Sequence, residues 1–306
     1  MPDYSRLMQL IAEMRLRLDE LAEELGRLQG EEGAPPAEAA PTAPPAGALY
    51  DLSKVIPPTL TDNPDSIVGG SLTSDFPDCC AVGNDLYGYF CTGTLIAPNI
   101  IVTAAHCPVQ TDSRMEKVFL LGSDIERPEE GEIVRVKEQY VHEEYNSATN
   151  EHDICVLVLE QDSSVEPRHV AQGLELQALL EPDALLVGFG TIDFAGRKGY
   201  GKKREVKVPI TSIGCEADVA ETYGCWEARE IVAGHRGLNR DSCKGDSGGP
   251  LYVLGETGYY LLGATSRGVT LPGARTCGDG GIYVRVDHYL DWIFEKTGVR
   301  IAGPLI

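Results

Sequence analysis

The sequence predicts an all-β fold for the larger part of the chain. From Ile67 onward, short apolar runs alternate with turn residues, and each run has the length of a strand. Glycine and proline are frequent, with 34 and 19 residues, which is typical of a β protein rich in loops. Strands that recur at this rhythm indicate β-barrels or a β-sandwich.

Eight apolar runs are the candidate strands. They occupy residues 93–106, 117–122, 153–160, 184–190, 204–210, 250–254, 259–266 and 281–286. One helix is predicted near the end of the chain, over residues 288–298. Tyr289, Trp292 and Ile293 would share one face of this helix, and Gly298 would terminate it.

Residues 1–29 have the pattern of an amphipathic, coiled-coil-like helix. Apolar residues recur in alternating steps of three and four, at Tyr4, Leu7, Ile11, Met14, Leu18, Leu21, Leu25 and Leu28. An isolated helix of this length is only marginally stable in water, so the stripe needs a second copy or a partner helix. Packing on the protein's own body is the alternative. The long tether that follows favours self-association or a partner helix through residues 4–28.

Residues 30–66 connect this helix to the rest of the chain. Residues 30–48 contain mainly Ala, Pro, Glu and Gly and have no large apolar side chain before Leu49. Such a segment cannot bury enough surface to fold, so we predict a disordered, extended linker. Residues 49–66 form a pro-segment that leads to Ile67, and residues 67–306 form the candidate enzyme domain.

Charge and cysteine content restrict the partners and the compartment. The formal net charge of −21 disfavours nucleic acid and anionic membranes. No run approaches the roughly 20 apolar residues of a membrane helix, and the first 20 residues lack the apolar core of a signal peptide. These features predict a cytoplasmic protein, with secretion as the alternative if the amino terminus has been trimmed. The nine cysteines point instead to oxidising surroundings.

Three short motifs supply the parts of a nucleophilic catalyst. His106 follows an apolar strand in TAAHC, Asp153 begins the strand DICVLVL, and Ser247 lies in the glycine-rich turn GDSGGP. A serine hydroxyl needs a neighbouring imidazole as base, and that imidazole needs an acceptor to hold its tautomer. The developing oxyanion needs fixed N–H donors, which Gly245 and Ser247 can provide.

These motifs resemble those of the trypsin/chymotrypsin serine proteases, together with IVGG at residues 67–70. They occur in that family's order, His then Asp then Ser. The resemblance covers residues 67 to about 298 and implies two six-stranded antiparallel β-barrels followed by a C-terminal helix. It implies that Ser247 attacks the scissile carbonyl, His106 transfers the proton, Asp153 orients His106, and the Gly245 and Ser247 N–H groups form the oxyanion hole.

The same resemblance implies a substrate pocket selective for Arg and Lys. Asp241, six residues before Ser247, matches the base of the P1 pocket, and Gly268 and Gly281 match its walls. Ser266 matches a substrate-binding position. The residue after it is Arg267, where the family usually has Trp. Arg267 is expected to line the groove beyond P1 and to favour acidic residues there, although neutralisation of Asp241 by Arg267 is the alternative.

Cysteine pairing is also inferred from the resemblance. Cys91 pairs with Cys107 beside the catalytic histidine, and Cys243 pairs with Cys277 beside the P1 pocket. Cys215 has no partner at the usual position, so Cys225 is the candidate substitute.

The remaining cysteines and the metal sites are read differently. Cys155 is expected to be a free core thiol, while Cys79 and Cys80 stay unassigned. No metal site or cofactor is expected: no CxxC pair occurs, and the acidic residues 123–132 are interpreted as a solvated loop rather than a calcium site.

The position of Ile67 predicts a zymogen. In the resembling family, cleavage frees an amino terminus that pairs with the carboxylate before the nucleophile, here Ile67 with Asp246. The residues before the cut, Asn63 to Ser66, contain no Arg or Lys. Cleavage at Ser66–Ile67 would therefore require a different protease, or a partner would order the site without cleavage. A catalytically weak pseudoprotease scaffold, assembled through the N-terminal helix, is the competing hypothesis.

Overall fold

A computed structural model of the chain describes residues 68–172, 183–195, 198–255 and 257–301. The predicted helix at residues 1–29, the linker at residues 30–66 and Ile67 lie outside the described residues.

Thirteen strands make up the described sheets. In chain order they are β1 Ser71–Leu72, β2 Cys79–Asn84, β3 Gly88–Ala97, β4 Ile100–Thr103, β5 Lys117–Leu120, β6 Glu132–Val141, β7 Cys155–Leu159, β8 Asp183–Gly188, β9 Arg204–Ser212, β10 Glu230–Ala233, β11 Pro250–Gly255, β12 Gly258–Gly268 and β13 Gly281–Arg285. Each of the eight predicted runs contributes a strand.

The strands form two closed six-stranded antiparallel barrels, as predicted. The first barrel has the order β2-β3-β4-β7-β6-β5. The second has the order β9-β10-β13-β12-β11-β8, and pairing between β8 and β9 closes it. The two-residue strand β1 adds to the outside of β9. This arrangement resolves the choice between barrels and a sandwich that periodicity left open.

Burial explains why some strands were easier to predict than others. Strand β4 is buried along its whole length, and its neighbour β7 is buried at four of five positions, so both appear as continuous apolar runs. Strand β6 alternates instead, with Val134 and Val136 buried on either side of the exposed Arg135. A strand with one face in water carries a weaker apolar signal, and β6 was not among the predicted runs.

Polar contacts as well as apolar packing join the barrels. Tyr252 of the second barrel donates a hydrogen bond from its hydroxyl to Asp78, at 2.6 Å. The guanidinium of Arg168, on the segment between the barrels, also binds Asp78, at 2.5 Å. Because Asp78 is fully buried, its charge needs these donors. The contacts fix the two barrels relative to each other and define the cleft between them.

Three short helices decorate the barrels: α1 His106–Gln110, α2 Ala217–Tyr223 and α3 Leu290–Thr297. Helix α3 confirms the predicted C-terminal helix. Gly298 ends it in the left-handed conformation, at φ +70°, and its N–H bonds to the Phe294 carbonyl at 2.8 Å. Ile293 is fully buried on the predicted face. Among the described residues, no helix has the length and apolar character needed to cross a bilayer.

Three disulfides staple the described chain: Cys91–Cys107, Cys215–Cys225 and Cys243–Cys277. All three match the predicted pairs. Cys155 is a buried free thiol, as expected, and Cys79 and Cys80 are buried free thiols as well. Burial raises the pKa of all three thiols, so they remain protonated and act as small apolar side chains.

Candidate active site

His106 and Asp153 form a buried, doubly bonded pair. The Asp153 carboxylate accepts a hydrogen bond from the His106 backbone N–H at 2.8 Å, through Oδ1. Its Oδ2 lies 2.8 Å from His106 Nδ1. Asp153 is fully buried, whereas the His106 side chain remains one-tenth exposed. The carboxylate therefore fixes both the backbone and the ring of His106 and leaves Nε2 as the nitrogen available for proton transfer.

The register of the first barrel brings these two residues together from 47 positions apart. Strands β4 and β7 are neighbours, and Thr103 is paired directly with Cys155. His106 follows Thr103 by three residues, and Asp153 precedes Cys155 by two. Antiparallel pairing thus places the start of β7 beside the end of β4, which is where both side chains lie.

Ser247 lies at the junction of the two barrels. Its carbonyl accepts a hydrogen bond from the Thr92 N–H of β3, at 2.9 Å. The next residue, Gly248, has φ +76°, and a Cβ there would lie 2.1 Å from Thr103 Oγ1. Only glycine allows this loop of the second barrel to approach the strand that leads to His106. Ser247 is half-buried, and within the described part of the chain its hydroxyl makes no hydrogen bond. Such contacts often form fully only when substrate binds.

The loop before Ser247 presents unpaired backbone donors. Gly245 has φ +97°, and a Cβ there would lie 2.5 Å from the Tyr200 ring. Its carbonyl is held by the Thr92 hydroxyl at 2.8 Å. Within the described residues, the N–H groups of Gly245 and Ser247 make no hydrogen bond. Two free donors on one tight loop can stabilise an oxyanion.

Asp241 lies in a cavity of about 180 Å³ beside Ser247. The cavity is also lined by Ser266, Arg267 and Gly268. Asp241 Oδ2 accepts hydrogen bonds from the N–H groups of Gly278 at 3.1 Å and Gly280 at 3.2 Å. Burial raises the pKa of Asp241 to about 7, because the two backbone donors offset the loss of hydration only in part. Its carboxylate has no salt bridge among the described residues.

Gly281 lies beside this cavity rather than on its lining. It pairs with Gly268 across strands β13 and β12. The place of a side chain at Gly281 is occupied by the Tyr283 hydroxyl, which would lie 2.7 Å from a Cβ. The predicted wall position therefore acts by leaving room for Tyr283, whose hydroxyl lies 3.1 Å from Ser242 Oγ.

Arg267 is committed to a carboxylate other than Asp241. Its two terminal nitrogens donate to the two oxygens of Glu230, at 2.7 and 2.8 Å. Glu230 is almost fully buried on β10. The alternative in which Arg267 neutralises Asp241 is therefore wrong. The predicted attraction for acidic residues is also weakened, because a bidentate partner already balances the guanidinium. The sequence offered no signal for Glu230, since the pairing depends on the register of the second barrel.

The Arg267–Glu230 pair extends to His106 through Ser266. Arg267 Nη1 lies 3.2 Å from Ser266 Oγ, and this hydroxyl donates to Asp153 Oδ2 at 2.6 Å. A guanidinium can only donate, so it leaves the Ser266 proton directed at Asp153. The structure thus connects a pair in the second barrel to the His106–Asp153 pair of the first.

Asp246 is the second buried carboxylate of the Ser247 loop. It accepts hydrogen bonds from the N–H groups of Gly190 at 2.7 Å and Cys243 at 2.8 Å. Burial raises its pKa to about 6. Among the described residues it has no salt bridge, and its predicted partner, Ile67, lies outside them. The following residue, Val68, is buried, and its carbonyl accepts the Asp241 N–H at 3.2 Å.

Comparison with known proteins agrees with this geometry. Residues 67–293 match the family model described as Trypsin. A trypsin of Saccharopolyspora erythraea is 31% identical over 75% of this chain and 97% of its own length. Trypsin Tyr p 3.0101 of Tyrophagus putrescentiae is 32% identical over 84% of this chain and 91% of its own length. A trypsin of Simulium vittatum is 34% identical over 73% and 90%. The chain therefore belongs to the trypsin family of serine proteases and is a serine endopeptidase.

Proposed function

We propose that the enzyme cleaves peptide bonds after Arg and Lys through an acyl-enzyme intermediate. Ser247 attacks the carbonyl, His106 accepts the serine proton and returns it to the leaving amine, and Asp153 stabilises the imidazolium. The N–H groups of Gly245 and Ser247 bind the oxyanion. The His106–Asp153 pair supports this assignment, because its geometry holds one imidazole tautomer toward the cleft.

The preference for a basic P1 residue is supported by Asp241. This carboxylate is buried in the cavity beside Ser247, and within the described chain no cation pairs with it. A P1 guanidinium or ammonium would supply the missing opposite charge and would lower the pKa of Asp241. Turnover of arginyl, lysyl and tyrosyl peptide substrates tests the proposal. Equal rates for all three would contradict it, and the Ser247→Ala variant measures the uncatalysed background.

We further propose that the chain is a zymogen activated at Ser66–Ile67. The support is local: Val68 is buried against the Cys243–Cys277 disulfide and is hydrogen-bonded to Asp241. Asp246 is buried nearby with two backbone donors and no described cation. A free Ile67 ammonium would provide that cation. Amino-terminal sequencing of the active species tests the idea, and full activity from an uncut chain would contradict it.

The activating agent is proposed to be a different protease or an ordering partner. An enzyme selective for Arg and Lys would not cut after Ser66, since residues 63–66 contain neither. Recruitment through residues 4–28 would raise the local concentration of such a partner. Sedimentation of the full chain against a chain that begins at residue 31 tests the association. Identical monomeric behaviour and identical activation rates would contradict it.

The three disulfides support an oxidising working environment for this enzyme, as the secreted alternative requires. Activity measured after mild reduction tests this point. Retention of full activity with all six of these cysteines reduced would show that the bridges are not needed.

A further inference from the structure

Outside the active site, three potential metal ligands converge: His142, Glu144 and His152. We call them the His142 cluster. One ligand atom of each lies within 4.8 Å of the other two. His142 directly follows strand β6, and His152 directly precedes Asp153. The cluster therefore closes the base of the loop formed by residues 142–152.

Packing holds the two imidazole rings in place. They stack with their centroids 4.7 Å apart and their planes within 3°. Trp292 of helix α3 covers His142, with ring centroids 4.9 Å apart. Tyr289 meets both histidine rings edge-on. A ligand whose ring is already fixed loses little side-chain entropy when it binds an ion.

The hydrogen bonds of His152 indicate which of its nitrogens is free to bind. Nδ1 lies 3.0 Å from the Tyr289 hydroxyl oxygen, and Nε2 lies 3.4 Å from Arg229 Nη1. A guanidinium only donates, so Nε2 is the acceptor and the proton resides on Nδ1, directed at Tyr289. The lone pair on Nε2 therefore faces Glu144, whose Oε2 is 3.3 Å away. Metal-binding histidines usually have this arrangement, in which a second residue holds the other ring nitrogen.

The charges around His142 suit a cation. Burial and the neighbouring His152 lower the pKa of His142, so its ring is neutral at neutral pH and keeps a lone pair. Glu151 Oε1 lies 3.9 Å from His152 Nε2 and adds a second carboxylate. The only guanidinium among the described residues at this site, on Arg229, is bonded to Glu151 at 2.6 Å and is almost half exposed.

We propose that the His142 cluster is a zinc site, with His142, His152 and Glu144 as ligands and water in the fourth position. Two imidazoles and one carboxylate form a donor set that suits Zn²⁺. Bonds of about 2.0–2.2 Å place tetrahedral ligands about 3.4 Å apart, so the cluster must contract slightly. Glu144 can supply this movement, because three-quarters of its side chain is exposed.

Zinc at this site would tie together both ends of the loop that leads into Asp153. Because the ion binds the folded arrangement, it stabilises that state in proportion to RT ln(1 + [Zn²⁺]/Kd). We therefore expect the thermal midpoint to rise with free zinc concentration.

The test is calorimetric titration of Zn²⁺ into the full chain carrying Ser247→Ala, which prevents self-digestion. One ion should bind per chain. His142→Gln and Glu144→Gln should each weaken binding by at least tenfold, and Tyr289→Phe should weaken it by about tenfold, as loss of a supporting contact does. His169→Gln is the matched control, because His169 is exposed and lies outside the cluster.

Three results would overturn the proposal. They are absence of binding, unchanged affinity in both ligand variants, and loss of binding only with His106→Gln, which would place the ion in the active site. Circular dichroism without zinc shows whether each variant is folded. If His142→Gln fails to fold, Glu144→Gln decides the question, because its exposed side chain has no role in the core.

Discussion

The two barrels surround their buried carboxylates differently. Asp153 of the first barrel receives three hydrogen bonds from within the protein, from the His106 backbone, the His106 ring and Ser266. Asp241 and Asp246 of the second barrel each have two backbone donors and no described cation, and burial raises the pKa of both. The first barrel thus carries a completed unit, whereas the second carries two carboxylates that a substrate and a new amino terminus can complete.

Glu230 shows what a completed carboxylate looks like in the second barrel. It is as buried as Asp241 and also undergoes desolvation, which raises its pKa. Unlike Asp241, it has its own guanidinium, that of Arg267. The difference teaches that burial alone does not mark a binding site. A buried carboxylate whose cation comes from the same chain is structural, and one without such a cation is available for a ligand.

The largest expected effect comes from Asp153→Asn. The amide can donate where the carboxylate accepted, so the His106 ring would take the wrong tautomer. We expect kcat to fall about 10⁴-fold, a loss characteristic of Ser-His-Asp triads. Steady-state kinetics on an arginyl substrate measure it. Thermal unfolding of the variant is the control, and near-normal kcat in a well-folded variant would contradict the role of Asp153.

Asp241→Ser should produce the second largest effect, and only for basic substrates. Removal of one partner of a buried charge pair lowers kcat/KM about 10²- to 10³-fold for arginyl substrates. Turnover of a tyrosyl or leucyl substrate should not fall. An equal loss on both substrate classes would instead indicate a folding defect.

Glu230→Ala tests the pair that does not depend on a ligand. The variant leaves Arg267 without its bidentate partner, and we expect the free energy of unfolding to fall by about 3 kcal/mol. Denaturant unfolding measures this change. The matched control is the double variant Glu230→Leu with Arg267→Met, which replaces the pair by apolar side chains and should recover most of the stability. No recovery would show that the loss comes from packing rather than charge.

The smallest effect concerns Asp246 and pH. Its pKa in the folded chain is about 6, above the ordinary value of 3.8, so between these values the folded state binds more protons than the unfolded state. The stability of the uncut chain should therefore decrease as pH rises from 4 to 6, by about 2 to 3 kcal/mol. The chain cut at Ile67 should lose less, because an ammonium would lower the pKa of Asp246. Asp246→Asn is the control, and identical pH profiles for cut and uncut chains would contradict the pairing.

Much of the fold was predictable because its strongest signals are local. Strands β4 and β7 are almost continuously apolar, and Gly298 terminates helix α3 as its position predicted. Strands β2, β6 and β10 and helix α2 were not predicted. Strand β6 has one face toward solvent, and β10 has only four residues, so neither carries a distinct apolar pattern.

The triad residues and disulfides were predictable for a different reason. Motifs such as TAAHC and GDSGGP resemble a family whose pairings are known, so residue identity carried long-range information. Arg267 shows the limit of that route. Its position suggested a residue of the substrate groove, but the resemblance has no counterpart for its partner Glu230, which lies 37 residues away.

The amino-acid sequence by itself determined the strand-rich domain, the order of His106, Asp153 and Ser247, and the three disulfide pairs. Only the tertiary structure decided which charges are balanced. Arg267 binds Glu230 rather than Asp241, and His142 stacks on His152. The physical reason is that the free energy of a buried charge depends on every group within a few ångströms. In a barrel, those groups come from strands far apart in the chain, and only strand register brings them together.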